Sequence, residues 1–121
     1  YNECDVFVSP TRSDAFNIPC LEAMACGKPV ITTDFGGQTD FCSEETGWII
    51  SGKLTEVKHE VEYEGIKWLT PNLEELKKAM REAYETKNNE LGNLDRKSKK
   101  ALEIARQFTW DNTAKQIVKF I

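Results

Sequence analysis

The chain has 121 residues, 40% of them hydrophobic and 30% charged, with a formal net charge of −4. This suits one globular domain with a core of its own and excludes a disordered segment. The acidic balance excludes a general nucleic-acid surface but not a local phosphate site built from backbone N–H groups, and no apolar run approaches the roughly 20 residues that cross a bilayer.

Residues 4–9 (CDVFVS) form a β-branched and aromatic run closed by Pro10, which predicts a buried strand. Residues 11–17 read as a loop. Residues 18–26 (IPCLEAMAC) are good helix formers, with Pro19 suited to a first turn and Gly27 to a C-terminal stop. Residues 29–33 (PVITT) predict a second buried strand. Residues 34–38 (DFGGQ) predict a turn whose glycines permit positive φ, and residues 47–50 (GWII) a third strand. The fold class is therefore α/β, with a parallel sheet. Such sheets take ligands beyond the carboxyl ends of their strands. Asp14 and the pair Gly36-Gly37 each follow a strand, so both loops are expected on that rim.

From residue 51 the rhythm breaks. Val57, His59, Val61 and Tyr63 alternate with Lys58, Glu60 and Glu62, as in a half-exposed strand or hairpin arm; a charged loop fits equally. Helices follow. Asn72 and Glu75 resemble a capping box, and Leu73, Leu76, Met80, Ala83 and Tyr84 mark one face. After a polar link, Leu94, Ala101, Leu102, Ala105 and Phe108 mark a second helix. Thr109 is expected to cap a third, with Trp110, Ala114, Ile117 and Val118 inward. Lys97, Lys99 and Lys100 are expected on a solvated helix face. Cys4, Cys20, Cys26 and Cys42 lack the close spacing of a zinc site and are expected to be reduced, partly buried thiols. No metal is expected, and a lone His59 is expected to face solvent. A chain that opens on Tyr1-Asn2-Glu3 is expected to be a piece of a longer protein.

The helix predicted from Ile18 follows a strand and a short loop. Its first N–H groups and its dipole make an anion site of the general kind. Asp14 stands before that helix and Glu22 about one turn inside it. Carboxylates repel phosphate but accept hydrogen bonds from hydroxyls. A ligand that is anionic in the middle and hydroxyl-rich at both ends fits both facts, and a nucleotide sugar has that form. Spacing alone favours a plainer pair of roles, Glu22 as a first-turn acid and Asp14 as a loop cap.

The stretches DVFVSP (5–10) and SDAFNIPCLEAMACGKPVITT (13–33) resemble the C-terminal, nucleotide-sugar-binding lobe of retaining glycosyltransferases with two Rossmann-like lobes, the GT-B fold of group 1, or family four. That family carries two acids separated by seven residues, followed by A-M-A-x-G-x-P-V. The resemblance implies a partial donor-binding lobe over residues 1–121. This would be the later half of a Rossmann-like sheet with flanking helices, a helical C-terminal segment, and a loop or hairpin insertion at 51–65 taken as inert elaboration. It implies a sugar transferase that needs no cofactor and works in a cytoplasmic setting, the cytoplasmic face of a membrane included. The donor is a nucleoside-diphosphate sugar; the acceptor, a glycan, lipid or small molecule, is left open. By position, Asp14 is the catalytic acid at the donor sugar hydroxyls and Glu22 holds the ribose. The N–H groups of Phe16, Asn17 and Ile18 approach the sugar and phosphate, and that of Leu21 the diphosphate. Gly36 and Gly37 match a glycine turn on the same rim, with a purely structural turn equally expected.

Two positions depart from the family pattern. Asp14 stands where Glu is usual, one methylene shorter, and Asn17 where glycine is common, with its side chain expected near the donor. The N-terminal lobe, and the Arg and Lys that neutralise the diphosphate, would lie before Tyr1. The chain alone is then expected to bind donor weakly, not to turn over, and to self-associate through an open sheet edge at its first strand. The alternatives are a non-catalytic nucleotide-sugar-binding or scaffold module, and another GT-B enzyme such as an epimerase or phosphorylase.

Overall fold

The structure, a computed structural model, describes residues 1–57, 65–88 and 93–121. Three short strands, β1 (Phe7–Ser9), β2 (Val30–Thr33) and β3 (Gly47–Ile50), form a parallel sheet in the order β1-β2-β3. Phe7 pairs with Val30, and Val30 with Gly47. The central strand β2 is buried along its whole length, as a parallel strand covered on both faces should be. Its alternate residues enter two cores. Val30 joins Cys20, Ala23, Met24, Phe41 and Ala101 on one face, and Ile31 joins Trp48, Ile50, Ala79 and Ala83 on the other.

Helix α1 (Ile18–Ala25) crosses from β1 to β2 and buries Cys20, Ala23 and Met24. Its end is set by Gly27 at φ 70°: the Gly27 N–H donates to the Met24 carbonyl and the Lys28 N–H to the Ala23 carbonyl, both at 2.9 Å. That pair of bonds satisfies the last carbonyls and needs a left-handed residue, which glycine adopts without cost in contacts. A 3₁₀ turn (Gly37–Asp40) then leads to β3.

The break after β3 is an antiparallel hairpin of β4 (Gly52–Glu56) and β5 (Lys67–Pro71), a two-stranded sheet of its own with Leu54 opposite Leu69 and Thr55 opposite Trp68. Its second arm lies beyond the 51–65 segment singled out in the sequence. His59, Val61 and Tyr63, on which the alternation rested, lie outside the described residues.

Helices α2 (Leu73–Asn88), α3 (Asn93–Ala105) and α4 (Trp110–Val118) complete the chain. Asn72 caps α2 by accepting from the Glu74 and Glu75 N–H groups. Glu75 does not close the expected box on the Asn72 N–H, which donates to the Ser51 carbonyl instead. Its carboxylate takes the Ser51 N–H at 2.7 Å and hydroxyl at 2.8 Å, and these bonds hold Glu75 below the usual carboxylate range.

Three expectations for the helices need correction. The core face of α2 is Leu76, Ala79 and Ala83. Leu73, Met80 and Tyr84 are exposed, and Met80 and Tyr84 overhang a groove of about 450 Å³ beside the outer strand β1. Thr109 caps α4 as expected, its hydroxyl accepting from the Asn112 N–H. Yet α4 buries nothing: Trp110 is 89% exposed, and Ile117 and Val118 also face outward. Finally, Lys97 is not on a solvated face. It is 6% exposed, its ammonium donating to the carbonyls of Glu44 and, at 2.6 Å, Gly47, with the Trp48 ring centre 4.8 Å away. Burial pulls its ionisation below the usual lysine range.

All four cysteines are free thiols. Cys20 and Cys42 are buried together, and their mutual contact and burial push the Cys42 thiol up, away from reactivity. No helix among the described residues is long and apolar enough to cross a membrane.

Candidate functional site

The carboxyl ends of β1 and β2 present two loops, residues 10–17 and 34–37, at the head of α1. The first is held at both ends. Near its start, the Thr11 carbonyl accepts from the Thr33 hydroxyl at 2.7 Å. The Thr11 hydroxyl also accepts from Gln38 Nε2 at 3.2 Å. Gln38 is fully buried, and the same nitrogen lies 3.2 Å from the Thr33 carbonyl and 2.5 Å from that of Phe35, its two N–H groups shared among these acceptors. One side chain thus binds the loop after β1 to the loop after β2. Nothing in the sequence signals this, because a glutamine after two glycines reads as an exposed turn residue.

At the loop's far end Asn17 stands at φ 62° and ψ 57°, the sole non-glycine with positive φ among the described residues. Asparagine tolerates this conformation better than most residues. Its side chain, expected to take space near the donor, is turned into the fold. It is 2% exposed, and its amide donates to the Ser9 hydroxyl at 3.3 Å, at the end of β1.

Asp14 lies between these anchors. Its Oδ1 accepts the N–H groups of Phe16 at 3.0 Å and Asn17 at 2.5 Å. The loop-cap geometry weighed from the sequence is therefore present, and these two N–H groups point to Asp14. Ile18 opens α1 with no side-chain cap from Asn17 and is 59% exposed. Leu21, in the first turn and partly buried, packs its side chain against the core.

Glu22 departs from the plainer reading. The first turn of α1 holds no acid, so Glu22 lies beyond the reach that explains a dipole-favoured one. It is exposed, and its Oε2 accepts the Tyr1 hydroxyl at 2.8 Å, which holds that phenol above its usual range. Asp14 and Glu22 thus flank the head of α1 and bond to separate partners.

The second loop closes the floor. Gly36 sits at φ 97°, and the Gly37 backbone runs so near the first loop that a Cβ there would stand 2.2 Å from the Ala15 carbonyl oxygen. The Phe16 ring completes the join from above, 5.3 Å from Phe41 and 6.4 Å from Phe108. Phe108, expected on the second helix, lies past the end of α3.

Two carboxylates, acceptors for hydroxyl groups, thus stand on the loop before α1 and beyond its first turn. The sequence model of the family described as "Glycosyl transferases group 1" matches residues 1–63. The lipopolysaccharide core biosynthesis mannosyltransferase LpsB of Rhizobium meliloti is 46% identical over 54 residues, covering 42% of this chain and 15% of that protein. A D-inositol 3-phosphate glycosyltransferase of Rhodococcus jostii is 29% identical over 115 residues, 94% of this chain and 21% of its own length. An uncharacterized glycosyltransferase of Methanocaldococcus jannaschii is 49% identical over 35 residues, 29% of this chain and 10% of its own. These matches leave most of each relative's length outside the chain.

Proposed function

We propose that this chain, which belongs to the group 1 glycosyl transferases, is the later part of the donor-binding lobe of a retaining sugar transferase. The whole enzyme would move a sugar from a nucleoside diphosphate to an acceptor, breaking the bond from the anomeric carbon to the diphosphate and forming one to the acceptor oxygen on the same face. Glu22 carries the assignment: an exposed carboxylate beyond the first turn of α1, already accepting a neutral hydroxyl. A ribose hydroxyl would take the place of the Tyr1 phenol there.

In this reading the diphosphate rests at the head of α1, beside Ile18 and Leu21. Charge on the leaving group is stabilised by the helix dipole and the N–H groups of Ile18 and Leu21, Pro19 having none and that of Cys20 donating to the Asn17 carbonyl. Phe16, partly exposed, lines the sugar, and Asn17, buried against Ser9, shapes the loop behind it. Asp14 meets the sugar hydroxyls through Oδ2, while Oδ1 stays fixed by the loop N–H groups. That fixation also orients a carboxylate one methylene shorter than the usual glutamate. We place the enzyme in the cytoplasm. We assign the acceptor and the remaining diphosphate contacts to the rest of the enzyme. The chain alone would bind donor weakly and associate with itself along β1, the outer strand of its sheet.

The test is a thermal-shift panel of nucleotide sugars on the full-length protein, mannose donors included because one relative is a mannosyltransferase. One donor should raise Tm. Glu22→Ala should then weaken it by about 10- to 100-fold, the loss expected when a charge-assisted hydrogen bond goes. Unchanged donor affinity in Glu22→Ala ends the ribose assignment.

A further inference from the structure

The β4–β5 hairpin reaches the donor-side loop at one residue. The Leu69 N–H donates to the Arg12 carbonyl at 2.8 Å, and the Arg12 guanidinium carbon lies 4.9 Å from the centre of the Trp68 ring. Backbone and side chain of Arg12 are therefore both engaged by β5. The hairpin is itself stiffened next to this contact: Thr55, opposite Trp68, shares a 2.8 Å hydroxyl bond with Thr70. Leu69 is buried, so the strand that carries the grip is fixed on its other face.

The grip adds to the loop's other anchors on the side of the hairpin. Thr11 is tied to Thr33 and Gln38, and Asn17 to Ser9. Between them, Asp14 is held mainly by bonds inside the loop, to Phe16 and Asn17. Those bonds fix the carboxylate within the loop, whose backbone at residues 14–16 packs on Gly36 and Gly37. Arg12, two residues before Asp14, adds a tie to β5. A flat indole face and a planar guanidinium attract each other without a rigid hydrogen-bond geometry. The contact can thus hold position while tolerating small shifts of the hairpin.

Resting on the donor-binding reading above, we propose that Trp68 is a positioning residue for Asp14: the hairpin clamps the 10–17 loop through Arg12 and sets where the acid meets the donor sugar. The segment that breaks the α/β rhythm is then part of the site's support and not an inert elaboration. Small misplacements of a reacting group cost far more in rate than in stability, so this role predicts a change in catalysis larger than the change in Tm.

The experiment uses the full-length protein as wild type, Trp68→Ala and Trp68→Phe. Amide hydrogen exchange is followed at residues 10–17, 30–33 and 47–50. Donor KM and kcat are measured with GDP-mannose or UDP-glucose, whichever stabilises the wild type. In Trp68→Ala, exchange at 10–17 should rise by roughly tenfold while β2 and β3 keep wild-type protection. Transfer should fall by about tenfold or more. Trp68→Phe, which keeps a ring face for Arg12, should restore most of both. Wild-type exchange at 10–17 in Trp68→Ala overturns the clamp. Looser exchange there with unchanged KM and kcat overturns the positioning role. If no nucleotide sugar of the panel stabilises the wild type, the donor reading fails by itself, and the exchange measurement still decides whether Trp68 holds the loop.

Discussion

Gly37→Ala should all but abolish donor binding while lowering stability by about 1–3 kcal/mol, the usual range for overpacking. The added Cβ would stand 2.2 Å from the Ala15 carbonyl oxygen and 2.8 Å from the Phe16 Cα. Both are backbone atoms, so no rotamer change relieves the clash. Either the 3₁₀ turn or the 10–17 loop must move. The turn is pinned through the buried Gln38, so the loop that carries Asp14 gives way first. Urea denaturation and a donor titration on the same variant separate the two effects. Gly37→Ala that binds donor like wild type would show that the loop need not sit against the turn. The glycine pair, read from the sequence as either a site element or a plain turn, is here a requirement of close approach.

Lys97→Ala should be the most destabilising single change at a charged position, by about 2–4 kcal/mol. It leaves the Glu44 and Gly47 carbonyls without their ammonium donor and removes the cation from the Trp48 ring. Denaturant midpoints at neutral pH measure the loss, and a cost under about 0.5 kcal/mol, that of an ordinary surface site, would contradict the buried contacts. The pH dependence has a definite sign. Burial lowers the Lys97 ionisation in the folded chain relative to the unfolded one. Above the folded value, and below the unfolded one near the usual 10.4, the unfolded chain binds more protons, so this residue's contribution to stability rises with pH. The wild-type minus Lys97→Met difference in stability should climb across that alkaline window, and a flat or falling difference would refute the assignment.

Much of the α/β half is legible in the sequence because its signals are local. GWII opens on a glycine, is followed by Ser51, and is the strand β3 residue for residue. The helix IPCLEAMA stops where Gly27 supplies the left-handed turn. Legibility fails where the deciding partner is far away in the chain. Lys97 looks like its neighbours Lys99 and Lys100, and only the carbonyls some fifty residues earlier distinguish it. Trp68 lies in a strand whose partner precedes it by a long connection, so its alternation has no local confirmation. On α4 the periodicity is real, but a pattern says that one face is apolar and not what covers it; among the described residues nothing buries that face. At the site, the two acids are visible by spacing and Asp14 reads as a loop cap, while the Tyr1 partner of Glu22 follows from geometry alone.

The Gln38 tie has a consequence for recombination among relatives. Because one buried amide holds Thr11 in the first loop and Thr33 and Phe35 in the second, the two loops are not independent cassettes. Exchanging residues 10–17 alone from a homologue would import a loop cut to another clasp. The smallest transferable unit is the continuous stretch from Ser9 to Cys42, which carries both loops, the helix between them and the clasp itself. Sugar preference, where it is inherited through such exchanges, should travel with that whole block.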